Sequence, residues 1–205
     1  MLDKIFTLRR KNNKLKVIFD MDDVLADFMP CVLPLLNAMF NRNYAVEDIT
    51  NWNLKTYYGD NVNDIFNTKG LFYDLKPKKD VLKEFPKIYN NELFDVWIVT
   101  ACTSTEGYLE KIQWMAKYFP DFPINRIIPC NEKDTVWADV IVDDGLHNLK
   151  DFELIGEPVV YDMPHNKVFP DGQVVTYKRI HSMKEVRVYL QRKIAGIHKR
   201  NQIAI

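Results

Sequence analysis

An apolar run that ends in a group of carboxylates is the feature that most limits how this chain can fold. Residues 16–28 read KVIFDMDDVLADF, so the run 17–19 is followed by Asp20, Asp22 and Asp23. Like charges a few ångströms apart resist joint ionisation, so a buried cluster of this kind needs a cation, a proton or a reaction. The stretch therefore predicts a strand that ends in a functional site.

Two other apolar runs end in polar residues. Residues 94–99 precede Thr100, and residues 140–142 precede Asp143 and Asp144. Helical patterns alternate with these runs, which indicates a doubly wound, mostly parallel α/β sheet. Ligands bind such sheets outside the carboxyl ends of the strands. We therefore expect the three polar strand ends to converge on one active site.

The remaining pattern predicts further elements and one insertion. Additional strands are expected at 126–129, at 158–161 and near 174–175, and helices at 30–42, 80–91 and 182–197. Capping-box spacing from Thr103 to Glu106 predicts another helix that runs to about residue 119. Residues 44–77 have no strand pattern. We therefore predict a core formed by residues 1–28 and 78–205, with a small helical cap at 29–77 inserted after the first strand.

Composition excludes several classes of partner. The chain has 28 Lys and Arg against 28 Asp and Glu, so no overall field attracts a nucleic-acid polymer or an anionic membrane. No apolar run is long enough to span a bilayer. Cys31, Cys102 and Cys130 form no close CxxC pair, which favours a reducing compartment. Residues 1–14 are expected to be a solvated tail, and the protein is expected to be cytoplasmic.

Several familiar catalytic motifs are absent. The sequence contains no GxGxxG, P-loop, HExxH or GxSxG motif, and its four histidines are scattered. Carboxylates at strand ends suit Mg²⁺, and an aspartate can attack phosphorus to form an aspartyl-phosphate. We assign that attack to Asp20 and proton transfer to Asp22. Lys133, ten residues before Asp143, is expected to neutralise phosphoryl oxygens.

At this point the sequence resembles a known superfamily. The stretch DMDDVL, which begins at Asp20, is similar to the first motif of the haloacid dehalogenase-like phosphohydrolases. Thr100, Lys133 and the pair Asp143 and Asp144 resemble the second, third and fourth motifs in order. The resemblance implies a Rossmann-like core, a helical cap and Mg²⁺ as cofactor. It also implies a metal site that includes Asp20, the backbone carbonyl of Asp22, Asp143 and Asp144.

Within that superfamily the chain resembles the 5'(3')-deoxyribonucleotidases of bacterial and phage type. The similarity covers DMDDVLADF, the stretch KDTVWADVIVDD at 133–144 and YDMPHN at 161–166. It implies a Mg²⁺-dependent nucleotidase whose substrate is a small-molecule nucleotide. Thr100 and Lys133 are then expected to bind the phosphate, and Phe28 the base, with Trp52 and Phe72 as further candidates.

Some interpretations stay open. Asp23 stands where many relatives have Gly, which adds a carboxylate of no assigned role. Asp144 either binds the metal, or it orients the loop or bonds Lys133 while Asp143 holds the ion. Thr100 binds phosphate, caps the following helix, or does both. The aromatic residues are either base contacts or core. Alternative functions are a phosphatase for another small phosphomonoester, such as a sugar phosphate, and a non-catalytic phosphate-binding module. A homodimer is left open as the assembly.

Overall fold

A computed structural model describes residues 14–203, so the predicted N-terminal tail lies almost wholly outside the described part of the chain. Six strands form one sheet in the order β3-β2-β1-β4-β5-β6, and all neighbours are parallel. This confirms the predicted α/β sheet. In chain order the strands are β1 (Leu15–Phe19), β2 (Phe94–Thr100), β3 (Ile127–Pro129), β4 (Val140–Asp143), β5 (Glu157–Tyr161) and β6 (Lys178–Ile180).

Strand β1 lies at the centre of the sheet because its sequence is apolar on both faces. Val17 and Phe19 pack into the larger core cluster, whereas Ile18 packs into a second cluster on the opposite face. Phe19 is paired in register with Ile98 of β2 and Val142 of β4. The residues that follow these positions therefore emerge at one edge of the sheet.

Helices cover both faces of the sheet. In chain order they are α1 (Phe28–Phe40), α2 (Lys55–Tyr58), α3 (Val81–Tyr89), α4 (Thr105–Tyr118), α5 (Leu146–Phe152) and α6 (Met183–Ile203). Shorter 3₁₀ turns are found at Val46–Asp48, Asp60–Asn67, Ile124–Arg126, Lys133–Thr135 and Pro164–Asn166. Among the described residues, no helix is both long enough and apolar enough to cross a membrane.

Two details of the sequence interpretation were wrong. The N-cap of α4 is Ser104 rather than Thr103, because the Ser104 hydroxyl accepts the Gly107 N–H at 3.0 Å. The sixth strand is β6 rather than a strand near 174–175. Val174 makes only an isolated antiparallel bridge with Val168, so those residues form a hairpin-like loop before the strand begins.

Residues 29–77, here called the helical segment, leave and re-enter the sheet domain side by side. The Asp27 N–H donates to the Lys76 carbonyl at 2.7 Å, and the Lys78 N–H donates to the Leu25 carbonyl at 2.9 Å. Between these crossings the structure contains only helices, turns and loops. The two crossings thus form a paired connection next to the carboxyl edge of β1.

Candidate active site

Asp20, Lys133 and Asp143 form the centre of the site. The Lys133 Nζ lies 2.6 Å from Asp20 Oδ1 and 2.7 Å from Asp143 Oδ2. Asp20 follows β1 directly and its N–H bonds the Val142 carbonyl of β4, which fixes it next to Asp143. Lys133 is carried by a 3₁₀ turn and is 2% exposed. The structure therefore brings together three residues that the sequence placed at separate motifs.

The electrostatics of this centre are dominated by burial. Burial, together with the carboxylates of Asp143, Asp22 and Asp144, raises the pKa of Asp20 to about 8 against the opposing effect of Lys133. Burial disfavours the charge on Lys133, but Asp143 and Asp20 outweigh it and raise the Lys133 pKa above its ordinary value. The single positive charge of Lys133 is thus surrounded by more carboxylates than it can neutralise.

Asp143 is held by its own loop as well as by Lys133. Its Oδ1 accepts the Gly145 N–H at 2.7 Å, and the Asn148 side-chain amide lies 3.2 Å from both carboxylate oxygens. Asn148 belongs to α5 and was not identified from the sequence. A polar side chain in the first turn of a helix is common after a loop, so Asn148 does not stand out in the sequence as a partner of Asp143.

Asp144 points to different partners. His165 Nε2 lies 2.8 Å from Asp144 Oδ2, and the Asn166 side chain donates to the Asp144 carbonyl at 2.9 Å. In the structure Lys133 bonds Asp143 and not Asp144, so the alternative in which Asp144 bonds Lys133 was wrong. Burial favours neutral forms of both side chains. Their hydrogen bond outweighs it, raising the pKa of His165 and lowering that of Asp144.

Asp22 and Thr100 share a lysine that the sequence interpretation missed. The Lys111 Nζ lies 2.7 Å from Asp22 Oδ2, 2.8 Å from the Thr100 hydroxyl and 2.7 Å from the Ala101 carbonyl. Lys111 is fully buried on the face of α4 that also carries Gly107 and Trp114. A lysine at helical spacing from apolar residues was the available signal, because a buried ammonium needs partners.

The carboxylates fit a hard divalent cation. Asp20, Asp143 and Asp144 each offer one oxygen, and these oxygens lie within 4.8 Å of one another. Asp22 Oδ1 is also buried without a hydrogen-bond partner among the described residues. Several oxygen donors with excess negative charge suit Mg²⁺. Participation of the Asp22 backbone carbonyl stays a prediction.

Asp23 faces the helical segment. Its backbone has a left-handed φ of 52°, and its carboxylate oxygens accept the Met29 N–H at 3.0 and 3.2 Å. The Lys78 Nζ lies 3.8 Å away. Burial and the neighbouring carboxylate of Asp144 raise the pKa of Asp23 to about 7, against the opposing effect of Lys78. The extra carboxylate therefore caps the first turn of α1.

An aromatic layer formed by Phe28 and by rings of the helical segment lies above this edge. Phe28 stacks on Phe66 and Phe72, with ring centroids 6.1 and 6.3 Å apart, and Lys111 Nζ lies 4.7 Å from the Phe72 ring centroid. Phe66 was not identified from the sequence. Trp52 is 57% exposed, and its ring centroid lies 4.4 Å from that of His147. These contacts bring Phe28, Phe72 and Trp52 to the site without assigning them a ligand.

The sequence is similar to known nucleotidases. The family model described as "5' nucleotidase, deoxy (Pyrimidine), cytosolic type C protein" matches residues 13–194. A 5'(3')-deoxyribonucleotidase of Bacillus subtilis (strain 168) is 31% identical over 154 residues, which cover 74% of this chain and 87% of that protein. The 5'(3')-deoxyribonucleotidase of Bacillus phage SPbeta matches equally well, at 31% identity with the same two coverages, 74% and 87%.

Solved structures with a similar fold are haloacid dehalogenase-like proteins. One from Agrobacterium tumefaciens (strain C58) has a TM-score of 0.58 at 11% identity, and the match covers 88% of this chain and 99% of that one. A hydrolase of the same superfamily from Bacillus subtilis, solved bound to magnesium, has a TM-score of 0.53 at 15% identity, with coverages of 87% and 99%. At these identities the likeness concerns the fold.

Proposed function

Because this chain belongs to the cytosolic type C 5' nucleotidase family and is a phosphoric monoester hydrolase, we propose that it hydrolyses deoxyribonucleoside monophosphates with Mg²⁺ as cofactor. The observation that carries the proposal is the buried centre in which Lys133 bonds both Asp20 and Asp143 at 2.6 and 2.7 Å. The names of the relatives at 31% identity support the nucleotide as substrate.

In the proposed mechanism Asp20 attacks phosphorus and becomes an aspartyl-phosphate. Asp22 gives a proton to the departing alkoxide and later removes one from the attacking water. Lys111 holds Asp22 Oδ2 at 2.7 Å and bonds Thr100, so it orients the acid while the Thr100 hydroxyl and Lys133 face phosphoryl oxygens. When bound, Mg²⁺ supplies positive charge that offsets the carboxylates and the phosphate.

We propose that residues 29–77 act as the cap that selects the substrate. Phe28 and Phe72 are buried, at 8% and 6% exposed, and stack with each other. Phe66 stacks on Phe28 and is partly exposed, so it offers an apolar face of the kind on which a nucleobase packs. Trp52, exposed beside His147, is a second candidate contact at the same edge. Asp20, Asp143 and Asp144 would hold the metal ion, and Thr100 and Lys133 would hold the phosphate.

We also propose that the enzyme works in the cytoplasm on free nucleotides. Its three cysteines, Cys31, Cys102 and Cys130, are free thiols in the structure, which agrees with a reducing compartment. The balanced total charge agrees with a small-molecule substrate rather than a nucleic-acid polymer.

A substrate panel tests the proposal. Phosphate release is measured with Mg²⁺ for 5'- and 3'-deoxyribonucleotides, the matching ribonucleotides and a set of sugar phosphates. We expect the highest kcat/KM with a deoxyribonucleotide, and no release after chelation of Mg²⁺. Preference for a sugar phosphate would instead support the alternative phosphatase.

The variant Asp20→Asn tests the mechanism, because it keeps the shape of the side chain and removes the nucleophile. We expect it to lower kcat by about 10⁴-fold or more while the circular dichroism spectrum stays unchanged. Near wild-type turnover by this variant would contradict an aspartyl-phosphate. Mg²⁺ and nucleotide binding by the wild type without turnover would identify a non-catalytic module.

A further inference from the structure

The turn that follows β5 contacts the carboxylate edge through two buried residues that the proposed mechanism does not use. His165 and Asn166 are both buried, and Asn166 is 0% exposed. They lie in the 3₁₀ turn Pro164–Asn166, between β5 and β6. The His165 side chain bonds the carboxylate of Asp144, and the Asn166 side chain bonds the main-chain carbonyl of Asp144. The turn therefore holds the side chain and the main chain of Asp144 through two different residues.

Asn166 fixes the main chain at Asp144. Its side-chain nitrogen donates to the Asp144 carbonyl at 2.9 Å and to the Tyr161 carbonyl at 2.8 Å. Its side-chain oxygen accepts the Met163 N–H at 3.1 Å and an Arg179 N–H at 2.7 Å. The amide is thus fully used, and it ties the ends of β4 and β5 to one another.

His165 fixes the carboxylate. Its Nε2 lies 2.8 Å from Asp144 Oδ2, and a carboxylate oxygen accepts, so Nε2 carries the proton that is donated. Its Nδ1 is buried and has no hydrogen-bond partner among the described residues. The ring therefore makes one hydrogen bond, and that bond goes to Asp144.

Asp144 and Asp143 differ in the hydrogen-bond donors that hold their carboxylates. The carboxylate of Asp143 is held by Lys133, Gly145 and Asn148. In the described part of the chain, the carboxylate of Asp144 has His165 as its side-chain hydrogen-bond donor. Loss of His165 would thus remove the side-chain donor to the Asp144 carboxylate, whereas loss of one donor to Asp143 would leave others in place.

We propose that His165 is a positioning residue that holds the Asp144 carboxylate in the orientation that binds Mg²⁺ together with Asp20 and Asp143. Their candidate ligand atoms lie within 4.8 Å of one another in the structure. The inference rests on the Mg²⁺ site of the proposed function. Residues that orient a ligand in this way commonly change metal affinity by about 10-fold to 100-fold when they are replaced.

The test measures Mg²⁺ binding by calorimetric titration over the millimolar range, without substrate. His165→Met removes the donor at similar volume, and His165→Gln restores an N–H near the position of Nε2. We expect His165→Met to weaken Mg²⁺ binding by about tenfold or more, and His165→Gln to recover most of that loss. Where His165→Met does not fold, His165→Asn replaces it, because its shorter amide falls short of Asp144.

The matched control is His181→Met. His181 also faces an aspartate, with Nδ1 3.3 Å from Asp162 Oδ2, but its side chain is 60% exposed and Asp162 is not a candidate metal ligand. This variant should bind Mg²⁺ as the wild type does. Melting temperatures measured without Mg²⁺ separate loss of packing from loss of positioning, since packing loss would affect His165→Gln as well.

Three results would overturn the inference: equal Mg²⁺ binding by wild type and His165→Met, equal losses in His165→Met and His165→Gln, or no Mg²⁺ binding by the wild type. The titration contains no nucleotide. If the substrate panel fails while His165 still governs Mg²⁺ binding, the inference stands and the proposed substrate falls.

Discussion

The carboxyl edge of the sheet and the helical segment above it are built in opposite ways. At the edge, charged groups are held by several hydrogen bonds each, as Lys133 is by Asp20 and Asp143 at 2.6 and 2.7 Å. Where the helical segment joins the sheet domain, Phe28 and Phe72 are held by stacking, with ring centroids 6.3 Å apart. Directional bonds fix atoms for chemistry, whereas stacked rings tolerate small shifts, which agrees with the proposed role of these rings in substrate selection.

The largest effect that would sharpen this comparison is expected at the edge. We expect Lys111→Met to lower kcat by about 10²-fold to 10³-fold with a smaller change in KM, because Asp22 and Thr100 lose the group that orients both. Steady-state kinetics on the best nucleotide measure it. Lys117→Met is the control, since Lys117 lies on the same helix and is exposed on the side of Tyr73. A Lys111→Met variant that matched Lys117→Met would contradict a role for this lysine at the edge.

A smaller effect of a different kind is expected at Phe28, which packs on two rings of the helical segment. Phe28→Leu removes the ring that stacks on Phe66 and Phe72. We expect KM to rise by about fivefold to tenfold at nearly constant kcat, because an aromatic stacking contact is worth about 1 kcal/mol. Phe40→Leu is the control on the same helix, where the ring packs on Tyr58. If Phe28→Leu reduced kcat as strongly as Lys111→Met, the division between the two regions would fail.

The smallest effect is expected at Asp23, where the two regions meet. Asp23→Ala loses the hydrogen bond to the Met29 N–H and keeps the left-handed backbone, so it should lower the free energy of unfolding by about 1–2 kcal/mol. Asp23→Gly loses the same bond but relieves the backbone, so it should cost less. Urea denaturation measures both. Turnover should stay within about threefold of the wild type, since the carboxylate faces the helix.

Sequence reasoning was strongest where geometry follows from the sheet. Parallel strands align their carboxyl ends, so Asp20, Thr100 and Asp143 could be assigned to one edge from their positions after apolar runs. It was weaker where a contact depends on how separate elements pack. Lys111 approaches from α4 and His165 from a turn after β5, and spacing along the chain does not reveal either distance.

The same distinction applies to the helical segment and the final strand. The helices of the helical segment were expected from the sequence. The stacking of Phe66 on Phe28 was not, because it depends on side chains that come from different helices. Strand β6 is only three residues long and begins with Lys178 and Arg179, so it lacks the apolar run that marked the other strands. Val174 and Val175 had a stronger strand pattern and lie in the loop instead.

The paired connection at residues 25–27 and 76–78 has a consequence for how such proteins diversify. Both crossings are side by side and bonded to each other, through Asp27 to Lys76 and Lys78 to Leu25, so the chain leaves and re-enters the sheet domain at one paired connection. A replacement of residues 29–77 has to preserve this short connection and the contacts with α4, such as the bonds that Glu110 accepts from the Gly70 and Phe72 N–H groups. With the proposed role of residues 29–77 in substrate selection, exchange of this stretch would change the substrate while the strands of the core keep their register.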